Sequence, residues 1–68
     1  MIIEYVVMWA DMPVYDRAVE SFKNLNDAME CAKLHMKTAV PYQNYYVKEF
    51  RDGIEINVYY RDGSTSRI

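Results

Sequence analysis

The dipeptide Asp52-Gly53 constrains this chain more than any other feature. It joins Tyr-Tyr-Val-Lys-Glu-Phe-Arg (residues 45–51) to Ile-Glu-Ile-Asn-Val-Tyr-Tyr (residues 54–60). Both runs are rich in aromatic and β-branched residues, which suit a pleated, half-buried strand. Asp-Gly between two such runs is a strong hairpin signal, because a type I′ turn needs φ > 0 at both central residues. A regular two-residue hairpin pairs Phe50 with Glu55, Lys48 with Asn57 and Tyr46 with Tyr59. Those residues share one face, since side chains alternate with period two. The opposite face carries Tyr45, Val47, Glu49, Ile54, Ile56, Val58 and Tyr60, and its greasier composition directs it to the core. A one-residue slip in register would exchange the two faces.

Residues 2–9 form a first strand. Ile3, Tyr5, Val7 and Trp9 lie on one side, and Ile2, Glu4, Val6 and Met8 on the other. Both sides are largely apolar, as expected of a central strand. Residues 10–16 contain Asp11, Pro13 and Asp16 and read as a loop. Residues 17–22 follow as a second strand, antiparallel to the first. Asn24 is a good helix N-cap with Asp27 three positions on. Leu25, Ala28, Met29, Ala32 and Met36 then make one apolar stripe of a helix over residues 25–38. Val40 before Pro41 cannot continue it, and residues 39–44 connect it to the hairpin. A second Arg-Asp-Gly at residues 61–63 lets residues 64–68 return as a short edge strand.

The fold class expected is therefore α+β: a single two-layer domain over residues 1–68. An antiparallel sheet of four to five strands carries one helix on one face, in the order β-β-α-β-β with a short C-terminal strand. A single helix covers one side of the sheet, so the other side must meet water or another molecule.

Composition narrows the function classes. With 68 residues, a net charge of −2 and a pI near 5.2, the chain lacks the basic balance of a general nucleic-acid binder. Its hydrophobic fraction of 51% is high for so small an interior, and favours a partner-covered surface or a homodimer. A single cysteine excludes an internal disulfide and fits a reducing cytoplasm. No apolar run approaches the ~18 residues of a membrane span, and Met1-Ile2-Ile3-Glu4 has no basic region or cleavage site, so no signal peptide is expected. Neither glycine, Gly53 or Gly63, lies in a phosphate-binding loop.

Cys31 and His35 are one helical turn apart and could form a nucleophile–base pair or two metal ligands. With no second cysteine or histidine in the chain, both are better explained as flanking the buried stripe. No catalytic residue, metal or cofactor is expected. The strongest binding candidate is the sheet face of Tyr46, Lys48, Phe50, Asn57 and Tyr59, with Arg61 beside it. Its mixture of aromatic and basic side chains is enriched at binding hot spots. Tyr46 and Tyr59 are expected there as exposed anchors, removable without loss of the fold. The same aromatics could instead stack single-stranded bases. Secondary contact candidates are Leu34 with Lys37, and Pro13 with Tyr15 in the apolar loop. Leu34 lies about 180° from Leu25 on the helical wheel, within the polar face.

The passage Phe22-Lys23-Asn24-Leu25-Asn26-Asp27-Ala28, a strand end running into a capped helix, is followed by residues 45–50 and a tight turn. This arrangement resembles small proteins of phages and mobile elements. Several of those are stoichiometric inhibitors of host enzymes or defence systems, RNA polymerase inhibitors and anti-CRISPR proteins among them. The resemblance implies a non-catalytic inhibitor or adaptor acting on a protein partner in the host cytoplasm. It transfers no functional residues.

Overall fold

The computed structural model describes residues 1–11, 15–38, 43–60 and 65–67, with the backbone alone for Asp11, Tyr15, Gln43 and residues 65–67. The elements are β1 (Ile3–Asp11), β2 (Tyr15–Phe22), α1 (Leu25–Met36), β3 (Gln43–Arg51), β4 (Ile54–Tyr59) and β5 (Thr65–Arg67). The strands form one antiparallel sheet in the order β2-β1-β3-β4-β5. The α+β class, the element order, the place of β1 inside the sheet and the terminal edge strand match the sequence expectation.

Four boundaries differ by two residues each. Ala10 and Asp11 continue β1, and Tyr15 and Asp16 begin β2, so the first loop is shorter than residues 10–16. Gln43 and Asn44 already belong to β3. The helix ends at Met36 rather than Thr38. There the Lys37 N–H donates to the Leu34 carbonyl at 3.3 Å and the Thr38 N–H to the His35 carbonyl at 3.2 Å. These three-residue closures tighten the last turn and stop the α-helical ladder. The proposed stop at Val40-Pro41 lies outside the described residues.

At the other end of α1, Asn24 is extended (φ −138°, ψ 131°) and its Oδ1 accepts the Asp27 N–H at 3.3 Å, as an N-cap should. The helix then crosses one face of β1 and β3. Ala28 and Ala32 face inward, and their small side chains let α1 sit directly on Val7 and Val47. Tyr5, Phe22, Leu25, Met29, Cys31, Tyr45 and Tyr59 pack around those four buried residues. Met36 closes the far end of the stripe, its Sδ accepting the Tyr45 N–H at 3.2 Å.

The Asp52-Gly53 turn has positive φ at both residues, 50° and 83°, as a type I′ turn requires. It is also tied to the start of the chain. The Asp52 N–H donates to the Ile2 carbonyl at 2.8 Å, and the Ile2 N–H to Asp52 Oδ1 at 2.7 Å. A Cβ at Gly53 would meet nothing within 4 Å. Gly53→Ala should therefore cost only backbone strain, about 1 kcal/mol, and Gly53→Asn less. Urea denaturation of the two variants checks this.

Candidate functional site on the open face of the sheet

The hairpin is not regular. Arg51 pairs with Ile54 and Phe50 with Glu55, but Glu49 then pairs with Asn57, Lys48 with Val58 and Val47 with Tyr59. Ile56 is the extra residue of a β-bulge in β4. The pairings of Lys48 with Asn57 and of Tyr46 with Tyr59 are thereby overturned. Asn57 and Tyr59 move to the helix side, and Val58 and Tyr60 move to the open side. Ile54, assigned to the core, is 68% exposed at the turn.

A buried carboxylate accounts for the shift. Glu49 is 2% exposed and lies on the helix side with Val47. In a regular hairpin it would face Ile56, with Val58 as its neighbour, and a buried charge without partners is very costly. The bulge brings Tyr59 and Asn57 to it, beside Arg51 of its own strand. Tyr59 Oη donates to Glu49 Oε1 at 2.7 Å, Asn57 Nδ2 to the same oxygen at 3.0 Å, and Arg51 Nε to Oε2 at 3.2 Å. Burial alone pushes the Glu49 carboxyl up. The hydrogen bonds from Tyr59, Asn57 and Arg51, with the Arg51 charge, outweigh it and hold the carboxyl below its ordinary value.

Tyr59 responds in the opposite sense. Its bond to a carboxylate, then burial and the Glu49 charge, push the phenol up to about 12. A phenol raised above its unfolded value of ~10 contributes stability that is complete below that pH and lost as pH rises through the folded value. Stability should thus fall between pH 10 and about 12, and Tyr59→Phe should make that slope shallower. Urea titrations across this range check it, and an unchanged slope would contradict it.

The open face has its own apolar centre. Met8, Tyr46 and Val58 are buried there, with Val6 and Ala10 packed against them, and no helix residue takes part. Tyr46 is 8% exposed, and its hydroxyl donates to Asp16 Oδ2 at 2.7 Å. Burial first, then the Asp16 bond and charge, push its phenol well up. The Tyr60 ring lies 5.9 Å from that of Tyr46, tilted by 37°, and Tyr60 is exposed. Phe50, on the same side as Tyr46 by alternation along β3, is half-buried. Lys48 Nζ meets Glu55 Oε1 at 3.1 Å beside it.

Of the expected face, Tyr46, Lys48 and Phe50 stand together on the open side, whereas Asn57 and Tyr59 serve Glu49 beneath it. Tyr46 is a core residue rather than an exposed anchor, so neither tyrosine can be removed without loss to the fold. Arg61 and Pro13 lie outside the described residues, as does the side chain of Tyr15. Leu34 is 61% exposed, and Lys37 is exposed at the helix C-cap. Val58 and Tyr60 are the open-face residues that strict alternation missed. The signal for them was Glu49 itself, a carboxylate on an otherwise apolar strand face with its nearest polar neighbours at the wrong parity.

Cys31 and His35 each have other partners. The Cys31 thiol donates to Glu20 Oε2 at 3.6 Å, and burial, with the Glu20 bond and charge, pushes it up. His35 stacks on Tyr45 at 4.8 Å. Among the described residues no three His, Cys, Asp or Glu side chains converge as a metal site would require, and no helix is long and apolar enough to cross a membrane. Comparison of the chain with known protein families, with curated proteins and with solved structures finds no match.

Proposed function

We propose that this chain is a small non-catalytic interaction protein of the cytoplasm that binds another protein through the open face of its sheet and blocks that partner sterically. The observation that carries this is the second apolar centre, Met8–Tyr46–Val58, on the side of the sheet opposite α1. Exposed Tyr60 and half-buried Phe50 extend it, and the Lys48–Glu55 pair flanks it. Aromatic anchors bordered by charge are the usual anatomy of a binding patch. Inhibition of a host enzyme or defence system is the role that small phage and mobile-element proteins of this build suggest.

Two features weigh against a nucleic-acid strand as the partner. Lys48 is already neutralised by Glu55, and Tyr59 faces the helix side. The Cys31 thiol, held in its protonated form beside Glu20, is poorly suited to nucleophilic chemistry.

Affinity capture from the natural host, followed by mass spectrometry, tests the proposal. A protein retained by the wild type should be lost with Tyr60→Ala and weakened by Phe50→Ala, while far-ultraviolet circular dichroism stays unchanged. Equal retention by both variants would remove the open face as the binding surface.

A further inference from the structure

A second surface lies on the other side of the sheet, along the outer edge of β2. That strand is eight residues long and outermost in the sheet. Residues 16–21 are all exposed, and among the described residues no strand pairs with their outer side. Such an edge offers unpaired main-chain N–H and C=O groups to an incoming strand. Val19 is an extra residue in the β1–β2 register, between Glu20 opposite Val7 and Ala18 opposite Met8. This bulge breaks the alternation and brings Arg17 and Glu20 to the helix side alike. Arg17 lies over the Trp9 ring at 5.1 Å, and Glu20 reaches Cys31.

Above this edge α1 and β2 enclose an open groove of about 520 Å³. Phe22, Cys31 and Leu34 give it apolar lining, Glu20, Asp27 and Glu30 give it three carboxylates, His35 completes it, and no lysine or arginine lines it. Leu34, the most exposed apolar side chain of α1, thereby acquires a place in a surface.

We propose that the β2 edge and this groove receive an extended segment of a partner protein, with basic and apolar side chains alternating along it. The main chain of that segment would add to β2 as a sixth strand. Every second side chain, the basic set, would then enter the groove, where the cations meet Glu20, Asp27 and Glu30 and their aliphatic stems lie against Leu34 and Phe22. Charge complementarity selects this occupant. A second copy of the chain is a poorer one, because β2 brings one cation against two carboxylates (Arg17 against Asp16 and Glu20) and so offers little positive charge to a groove with three carboxylates. The proposal is independent of the open-face site, which lies on the opposite side of the sheet.

Fluorescence anisotropy with a labelled octapeptide of alternating lysine and valine tests it. The same peptide N-methylated on alternate amides, and an alternating glutamate–valine peptide, serve as comparisons. Binding of the lysine–valine peptide should weaken at least tenfold in Glu30→Lys and clearly in Leu34→Ala, both exposed positions whose folding circular dichroism can verify. N-methylation should abolish it, and Tyr60→Ala should leave it unchanged. Equal binding of the N-methylated or the glutamate peptide would overturn the proposal, the first by showing charge adsorption alone. So would light scattering that shows a dimer dissolved by Leu34→Ala, since the groove would then hold a second copy.

Discussion

Glu49→Ala should lower stability by about 3 kcal/mol. Three donors lose their acceptor at once: Tyr59 Oη, Asn57 Nδ2 and Arg51 Nε. Arg51 is exposed and can turn to water, but Tyr59 and Asn57 are only partly accessible. A chain of 68 residues commands roughly 3–10 kcal/mol in total. The variant should therefore melt some 10–25 °C lower, or fail to fold. Glu49→Gln keeps the shape and one acceptor and should lose less, about 1–2 kcal/mol.

The pH dependence separates charge from packing. The folded pKa of Glu49 is depressed, so its contribution is complete above the unfolded value near 4.5 and is lost as pH falls through the folded value. Wild type should lose stability as pH drops below about 5, and Glu49→Gln should lose less over the same interval. Equal acid slopes would show that the carboxylate is not held ionised by its three donors.

Tyr46→Ala should be comparably severe, costing about 3–5 kcal/mol, because it empties a buried aromatic site between Met8 and Val58. Tyr46→Phe keeps the ring and loses only the bond to exposed Asp16, about 1 kcal/mol. Thermal denaturation of the pair distinguishes ring from hydroxyl, and equal losses in both would contradict a packing role. This ordering governs any study of binding. Tyr46→Ala and Tyr59→Ala would abolish an interaction by unfolding the chain, whereas Tyr60 and Phe50 can be changed with the core intact.

Most of the architecture was legible because local signals agreed with one another. Asp52-Gly53 specified the turn, Asn24 and Asp27 specified the start of α1, and the apolar spacing from Leu25 to Met36 specified its buried stripe. The two apolar faces of residues 2–9 placed β1 inside the sheet rather than at its edge. The faces of β4 were not legible, because strict alternation carries no term for an extra residue. Once Ile56 is set aside, every later side chain of β4 changes sides, and the expected site loses Asn57 and Tyr59 and gains Val58 and Tyr60. The physical cause lies in β3, where Glu49 must be satisfied, and a strand read by itself does not reveal its neighbour's needs. The same applies to β2, where Val19 puts Arg17 and Glu20 on one side.

The bulged register underlies both the Glu49 network and the open face, and nuclear Overhauser contacts of the tyrosine rings measure it directly. The Tyr59 ring should show contacts to Val47 and to the Ala28–Ala32 side of α1, while the Tyr46 ring contacts Met8 and Val58. Contacts between the Tyr59 and Tyr46 rings, with Val58 instead beneath the helix, would establish a regular hairpin and contradict the account.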